Sequence, residues 1–153
     1  MRAKAAYADA DAVHQLGYTM VIIRQYEQLL ELNPNDNQGI RYKLFGAYLE
    51  EGKFEAAEVL LKEYKETTAN GLYNKLLLEL YKNGFSANAA KLLKEAKKVN
   101  PHVIPFLSGK KSIPMFLPEG YRLGDESEAI IYADDHFQLW KKIEGLQEWL
   151  KKQ

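Results

Sequence analysis

Apolar positions in the first hundred residues recur at helical spacing. Phe54, Ala57, Leu60, Leu61 and Tyr64 fall on one helix face, and Ala89, Leu92, Leu93, Ala96 and Val99 fall on another. An earlier set, Ile22, Tyr26, Leu29 and Leu30, follows the same rule. Each set is preceded by a glycine (Gly17, Gly52 and Gly84), 35 and then 32 residues apart. Glycine at the end of a helix adopts the left-handed conformation that other residues avoid. The pattern therefore predicts helix, glycine turn, helix, three times over. Ala57 and Ala89 stand where paired helices cross closely and a larger side chain would push them apart. Asn33-Pro34 and Asn100-Pro101 close the first and third units, because a residue before proline avoids the α region.

The pattern changes after residue 100, where four of the five prolines fall between 101 and 118. Pro101 to Leu107 reads as a short helix capped by Asn100 with a proline early in it. Pro114 and Pro118 forbid a regular helix over 110–121, yet Ile113, Met115, Phe116 and Leu117 are too apolar for a solvated linker. An extended segment laid onto a surface is expected there. Asp125 followed by Glu128 matches a capping box and opens a further helix with Ala129, Ile130, Ala133, Phe137 and Trp140 on one face. A last helix carries Leu146, Trp149 and Leu150. Ala133 and Gly145 are twelve residues apart, the spacing of the small residues within one earlier unit, so a fourth, degenerate hairpin is expected.

The first hundred residues resemble the tetratricopeptide repeat, whose period is about 34 residues. The matching positions are Ala10, Gly17, Tyr26 and Pro34 in the first unit, and Leu44, Tyr48, Gly52, Phe54 and Ala57 in the second. In the third they are Tyr73, Leu76, Leu80, Gly84, Ala89 and Pro101. The first unit departs at Asp9 and Ile22, and the second has Thr67-Thr68-Ala69-Asn70 in place of a closing proline. The tail is similar to the end of the suppression of tumorigenicity proteins. The shared residues are Asn100-Pro101-His102-Val103, Leu117-Pro118, Gly124-Asp125, Ser127-Glu128-Ala129-Ile130, Tyr132-Ala133, Trp140-Lys141-Lys142 and Glu144-Gly145-Leu146. Together these resemblances imply an all-α fold, a right-handed α-α superhelix of helical hairpins. Three hairpins are expected over 1–101, a short helix and extended segment over 102–124, and a C-terminal hairpin over 125–153, all in one structural domain. The second resemblance implies no known chemistry. The membrane segments of its eukaryotic branch have no counterpart here, so membrane association is not carried over.

Composition narrows the function classes. The chain has 153 residues, 46% hydrophobic and 27% charged, a globular balance. Lys and Arg number 21 and so do Asp and Glu, with no basic excess on either side of residue 100, which argues against nucleic acid as a partner. Lys91, Lys94, Lys97 and Lys98, with Lys110 and Lys111, read as a solvated basic face. Cysteine is absent, excluding disulfides and a thiolate nucleophile. No apolar run approaches the roughly 20 residues that span a bilayer, and no secretory signal core is present, so a cytoplasmic protein without membrane contact is expected. The first residues read as the inside of a helix, which suggests a segment upstream.

Catalytic and metal-binding patterns are not found. His14, His102 and His136 make no ligand pair, and consecutive helical residues such as Asp134-Asp135-His136 diverge too widely to converge on one ion. Gly39, Gly46 and Gly71 stand alone rather than in a phosphate loop. No catalytic residue, metal or cofactor is expected, and the reading is a non-enzymatic protein- or peptide-binding scaffold. Solenoids of this kind line a concave face with the leading helix of each unit. The repeat register then assigns partner contacts to Tyr7, Asp11, Tyr42, Leu49, Asn74, Leu78 and Tyr81, with Tyr42, Leu49, Leu78 and Tyr81 forming an exposed apolar patch over glycine floors. Tyr7 and Asp11 stand where carboxylate-clamping repeats carry Lys and Asn, which disfavours that ligand. Segment 112–121 is expected to fold back and cover part of the groove. Two other readings use different residues: a small-molecule or enzymatic pocket built from Tyr42, Tyr81, His102 and Lys110, and a weak homodimer joined through Leu146, Trp149 and Leu150 in place of a monomer.

Overall fold

The computed structural model describes the backbone of residues 2–153 and the side chains from Gly17 onward. Every regular element among them is a helix: α1 (Arg2–Leu32), α2 (Ile40–Glu50), α3 (Phe54–Glu63), α4 (Ala69–Asn83), α5 (Ala87–Val99), α6 (Val103–Leu107), α7 (Glu126–Lys141) and α8 (Leu146–Lys152). The fold is an all-α helical repeat. The chain divides into two compact units, Met1–Leu60 and Leu61–Gln153, with the boundary inside α3.

In the first unit, α1 packs on α2, burying Ile23 and Leu30 beside Leu44, Phe45 and Tyr48. The Tyr48 hydroxyl donates to Glu27 of α1 at 2.8 Å, tying the two helices at their polar edge. α1 ends before Asn33-Pro34, as the proline requires. The start of α2 is set by Asp36, a residue with positive φ whose buried carboxylate accepts from the Ile40 and Arg41 amides at 2.7 and 2.9 Å. That satisfies two of the amides a helix start leaves open. The turn to α3 is a Schellman motif. Gly52 has φ 71°, its amide donates to Leu49, and the Lys53 amide donates to Tyr48.

Gly17 is different. It lies inside α1, a helix of 31 residues that runs straight through the expected turn. The first hairpin is therefore replaced by one long helix. Thr19 stands where Ser86 does after Gly84, yet Tyr18-Thr19-Met20 continue the helix, and Gly17 is not among the glycines with positive φ. An interior glycine costs roughly 1 kcal/mol against alanine, which a long helix absorbs.

The second unit has a helical hairpin, α4 and α5, with α7 packed on α4 and α6 packed on α7. Ser86 caps α5 by accepting from the Ala89 amide at 3.0 Å. Ala89, Ala96, Ala129 and Ala133 are fully buried, so close helix contact here rests on alanine. Tyr73, Leu76, Leu77, Leu93, Val103, Tyr132 and Trp140 fill the core. α8 returns after Gly145, burying Leu146 and Leu150, and the Trp149 ring stacks on Phe85 at 5.2 Å. The end-helix dimer reading relied on exposure of Leu146, Trp149 and Leu150. Two of these are core and the third is stacked, so that surface is not available.

Candidate partner-binding surfaces

Of the expected contact residues, Tyr7 and Asp11 lie outside the residues whose side chains are described. Tyr42 is half-buried on α2. Arg41 donates to its hydroxyl at 2.8 Å and lies over its ring at 4.4 Å, while the same guanidinium pairs with Asp36 at 2.9 Å. Leu49, also on α2, is 2% exposed, and Leu78 on α4 is 7% exposed. The expectation that these leucines form an open apolar patch is corrected: both belong to the core.

Asn74 and Tyr81 are brought together, but against α7. Asn74 is buried, and its side-chain oxygen accepts from the Tyr132 hydroxyl at 2.9 Å. Tyr132 in turn accepts from the Trp140 indole N–H at 3.0 Å. About two turns further along α4, the Tyr81 hydroxyl donates to the Leu139 carbonyl. In this unit the leading-helix face is covered by α7. The repeat register alone does not reveal this, because it treats the tail as a separate appendage.

The titratable groups in this seam serve packing. Burial raises the Tyr132 and Tyr73 hydroxyls well above an ordinary phenol, with the nearby Glu128 carboxylate adding to the effect on Tyr73. Both remain protonated donors. Burial also lowers His136, whose ring stacks on Tyr132 at 4.3 Å and whose Nδ1 lies 3.0 Å from the Tyr132 carbonyl. A neutral imidazole with the proton on Nδ1 fits that contact. None of these three groups belongs to the pocket of Tyr42, Tyr81, His102 and Lys110. His102 and Lys110 are exposed. Among the described residues no cluster of three or more His, Asp or Glu could hold a metal ion. An open cavity of about 400 Å³ lies along α5, lined by Ala90, Lys91, Leu93, Lys94, Lys97 and Gln153.

Segment 112–121 leaves most of its large apolar side chains open, with Ile113 half-buried. Met115 is 89% exposed and Phe116 is 85% exposed, with Leu117, Tyr121 and Leu123 also open to solvent. The base of this excursion, by contrast, is pinned at both ends. The Lys111 amide donates to the Pro105 carbonyl at 2.9 Å, and the Lys111 ammonium meets Glu126 at 2.8 Å. On the return, the Arg122 amide donates to Ser127 at 3.1 Å and the Gly124 amide donates to Glu128 at 3.0 Å. Asn100 links the two ends. Its amide donates to Glu128 and to the Asp125 carbonyl, its side-chain oxygen accepts from His102, and its own carbonyl accepts from Tyr73. The capping box is thus shifted: Asp125 accepts from the neighbouring Glu126 amide, and Glu128 turns inward to become a buried latch. The signal for this was the pair Asn100 and Glu128, each read separately as a helix cap.

Two comparisons bear on this architecture. Residues 23–80 match the tetratricopeptide repeat model, and residues 79–152 match the model of the ST7 protein. Over residues 23–80 the chain is similar to tetratricopeptide-repeat proteins. Its C-terminal part is ST7-like: 40% identical over 68 residues to the "Suppressor of tumorigenicity 7 protein-like" of Gallus gallus, covering 42% of this chain and 12% of that protein. It is 40% identical over 62 residues to the "Protein ST7 homolog" of Caenorhabditis elegans, and 43% identical over 58 residues to the human "Suppressor of tumorigenicity 7 protein-like". Those alignments cover 40% and 38% of this chain and 11% and 10% of the relatives, so the match spans about a tenth of their length. No solved structure matches. No helix among the described residues is long and apolar enough to cross a membrane.

Proposed function

We propose that this chain is a non-enzymatic scaffold module that binds a protein or peptide partner, and that the tip 113–123 is part of its contact surface. The observation carrying this reading is the contrast between tip and stem. Met115 and Phe116 are almost wholly bare, while the stem is held by backbone and side-chain hydrogen bonds. Two adjacent large apolar side chains left in water favour burial against a partner. Pro114 and Pro118 restrict the free tip, and a pinned stem reduces the entropy lost on docking. The non-enzymatic part of the reading is supported by the use of Tyr73, Tyr132 and His136 in packing.

The test is site-specific photocrosslinking in the source cell. A benzophenone amino acid at position 116 should trap a discrete partner that one at Glu55, exposed on α3, does not. Met115→Ser/Phe116→Ser should lose that partner while keeping a native helical spectrum. Equal trapping from both positions, or retention of the partner by the double variant, removes the tip from the binding surface.

A further inference from the structure

α1 carries a second bare apolar surface, independent of the tip. Tyr18, Val21, Leu29 and Leu32 are 45–83% exposed. With Gln25 they are spaced 3, 4, 4 and 3 residues apart. At 3.6 residues per turn, these intervals hold all five positions on one narrow stripe. The stripe lies apart from the face that buries Ile23 and Leu30 against α2. It contains no charged residue, and its one polar member is at the centre.

The order of intervals reads the same in both directions from Gln25. A two-fold axis through that residue therefore superposes the stripe on itself with the helix reversed. Tyr18 then meets the Leu32 position of a second copy, Val21 meets the Leu29 position, and the two Gln25 amides meet each other. This is the self-complementarity an isologous interface needs. A central polar pair fixes register in helix–helix seams of this kind. The contact spans about 21 Å of helix. It buries on the order of 1,000 Å² in total, the lower edge of specific interfaces, so a concentration-dependent dimer is expected.

We infer that a second copy of this chain covers the α1 stripe, forming an antiparallel two-fold pair centred on Gln25. The absence of cysteine makes the test direct. Under mild oxidation, Gln25→Cys should give a disulfide-linked dimer at least tenfold faster than Glu55→Cys. Tyr18→Cys should crosslink to Leu32→Cys in a mixture and not to itself. Sedimentation velocity between about 1 and 100 µM should show a concentration-dependent dimer, and Val21→Lys/Leu29→Lys should weaken it at least tenfold with the helical spectrum unchanged. A monomer throughout that range, slow crosslinking at position 25, or a dimer that survives Val21→Lys/Leu29→Lys but not Met115→Ser/Phe116→Ser overturns the inference. The last result would leave the tip as a contact surface, occupied by a second copy.

Discussion

α4 and α1 carry comparable apolar stripes and meet opposite fates. On α4, the face expected to be open is closed by α7, through Asn74–Tyr132 and Tyr81–Leu139. On α1, the positions expected to form a hairpin merge into a single helix whose second face stays bare. The local signals at Gly17 and Gly84 look alike in sequence. What separates them is the outcome and not the local residues: Gly84 has positive φ and leads into Ser86, which caps α5, whereas Thr19, at the matching place after Gly17, lies inside α1. An amphipathic helix records that it needs a partner without recording whether the chain itself supplies one.

This contrast breaks most sharply at Trp140. Trp140→Ala opens the buried seam under α4 and should cost about 3–5 kcal/mol in denaturant unfolding. The matching change on the bare stripe, Tyr18→Ala, should stay within about 0.5 kcal/mol under conditions where the chain is monomeric. Glycine gives the next comparison. A β-carbon at Gly71, in the first turn of α4, would collide with the Glu66 backbone carbonyl, so Gly71→Ala should cost about 2–3 kcal/mol and lower Tm clearly. At Gly17 nothing lies within 4 Å, and Gly17→Ala should stabilise the protein by about 0.5–1 kcal/mol. Opposite signs in one thermal series would confirm that one glycine is a packing requirement and the other an unforced helix residue.

Asn74→Ala leaves the Tyr132 hydroxyl without that acceptor inside the seam and should cost about 1–3 kcal/mol. Retention of full stability would mean that the α4–α7 seam is held by apolar contact alone. His136 supplies a pH readout of the same seam. Its folded-state pKa is depressed, so between that value and the ordinary 6.5 the unfolded chain binds more protons than the folded one. Stability is fully present above pH 6.5 and falls as pH drops through that window. Tm measured from pH 7.5 to 5 should therefore decline, and His136→Phe should decline less if it folds. An equal slope would assign the effect to other groups. The Gln25→Cys crosslink, which leaves monomer stability nearly unchanged, examines the bare side of the comparison.

Much of the helical layout was legible. Gly52 and Gly84 with positive φ, the buried Ala57 and Ala89, and the stop before Pro34 follow from backbone sterics and need no tertiary information. The start of α7 was readable from Asp125. The site was less legible. Leu49 and Leu78 were placed on a surface because repeat register implies an open face, and Met115 and Phe116 were placed under cover because apolar residues favour burial. Both inferences treat hydrophobicity as if it specified an address.

What the sequence determined by itself is where helices begin and end at Pro34, Gly52, Gly84 and Asp125, and which side chains seek burial, since steric limits and helical spacing act within a few residues. Only the tertiary structure decided which of those side chains found a partner. That choice depends on contacts between residues as distant as Asn74 and Tyr132, or Asn100 and Glu128, whose meeting is a property of the folded chain and of no local segment.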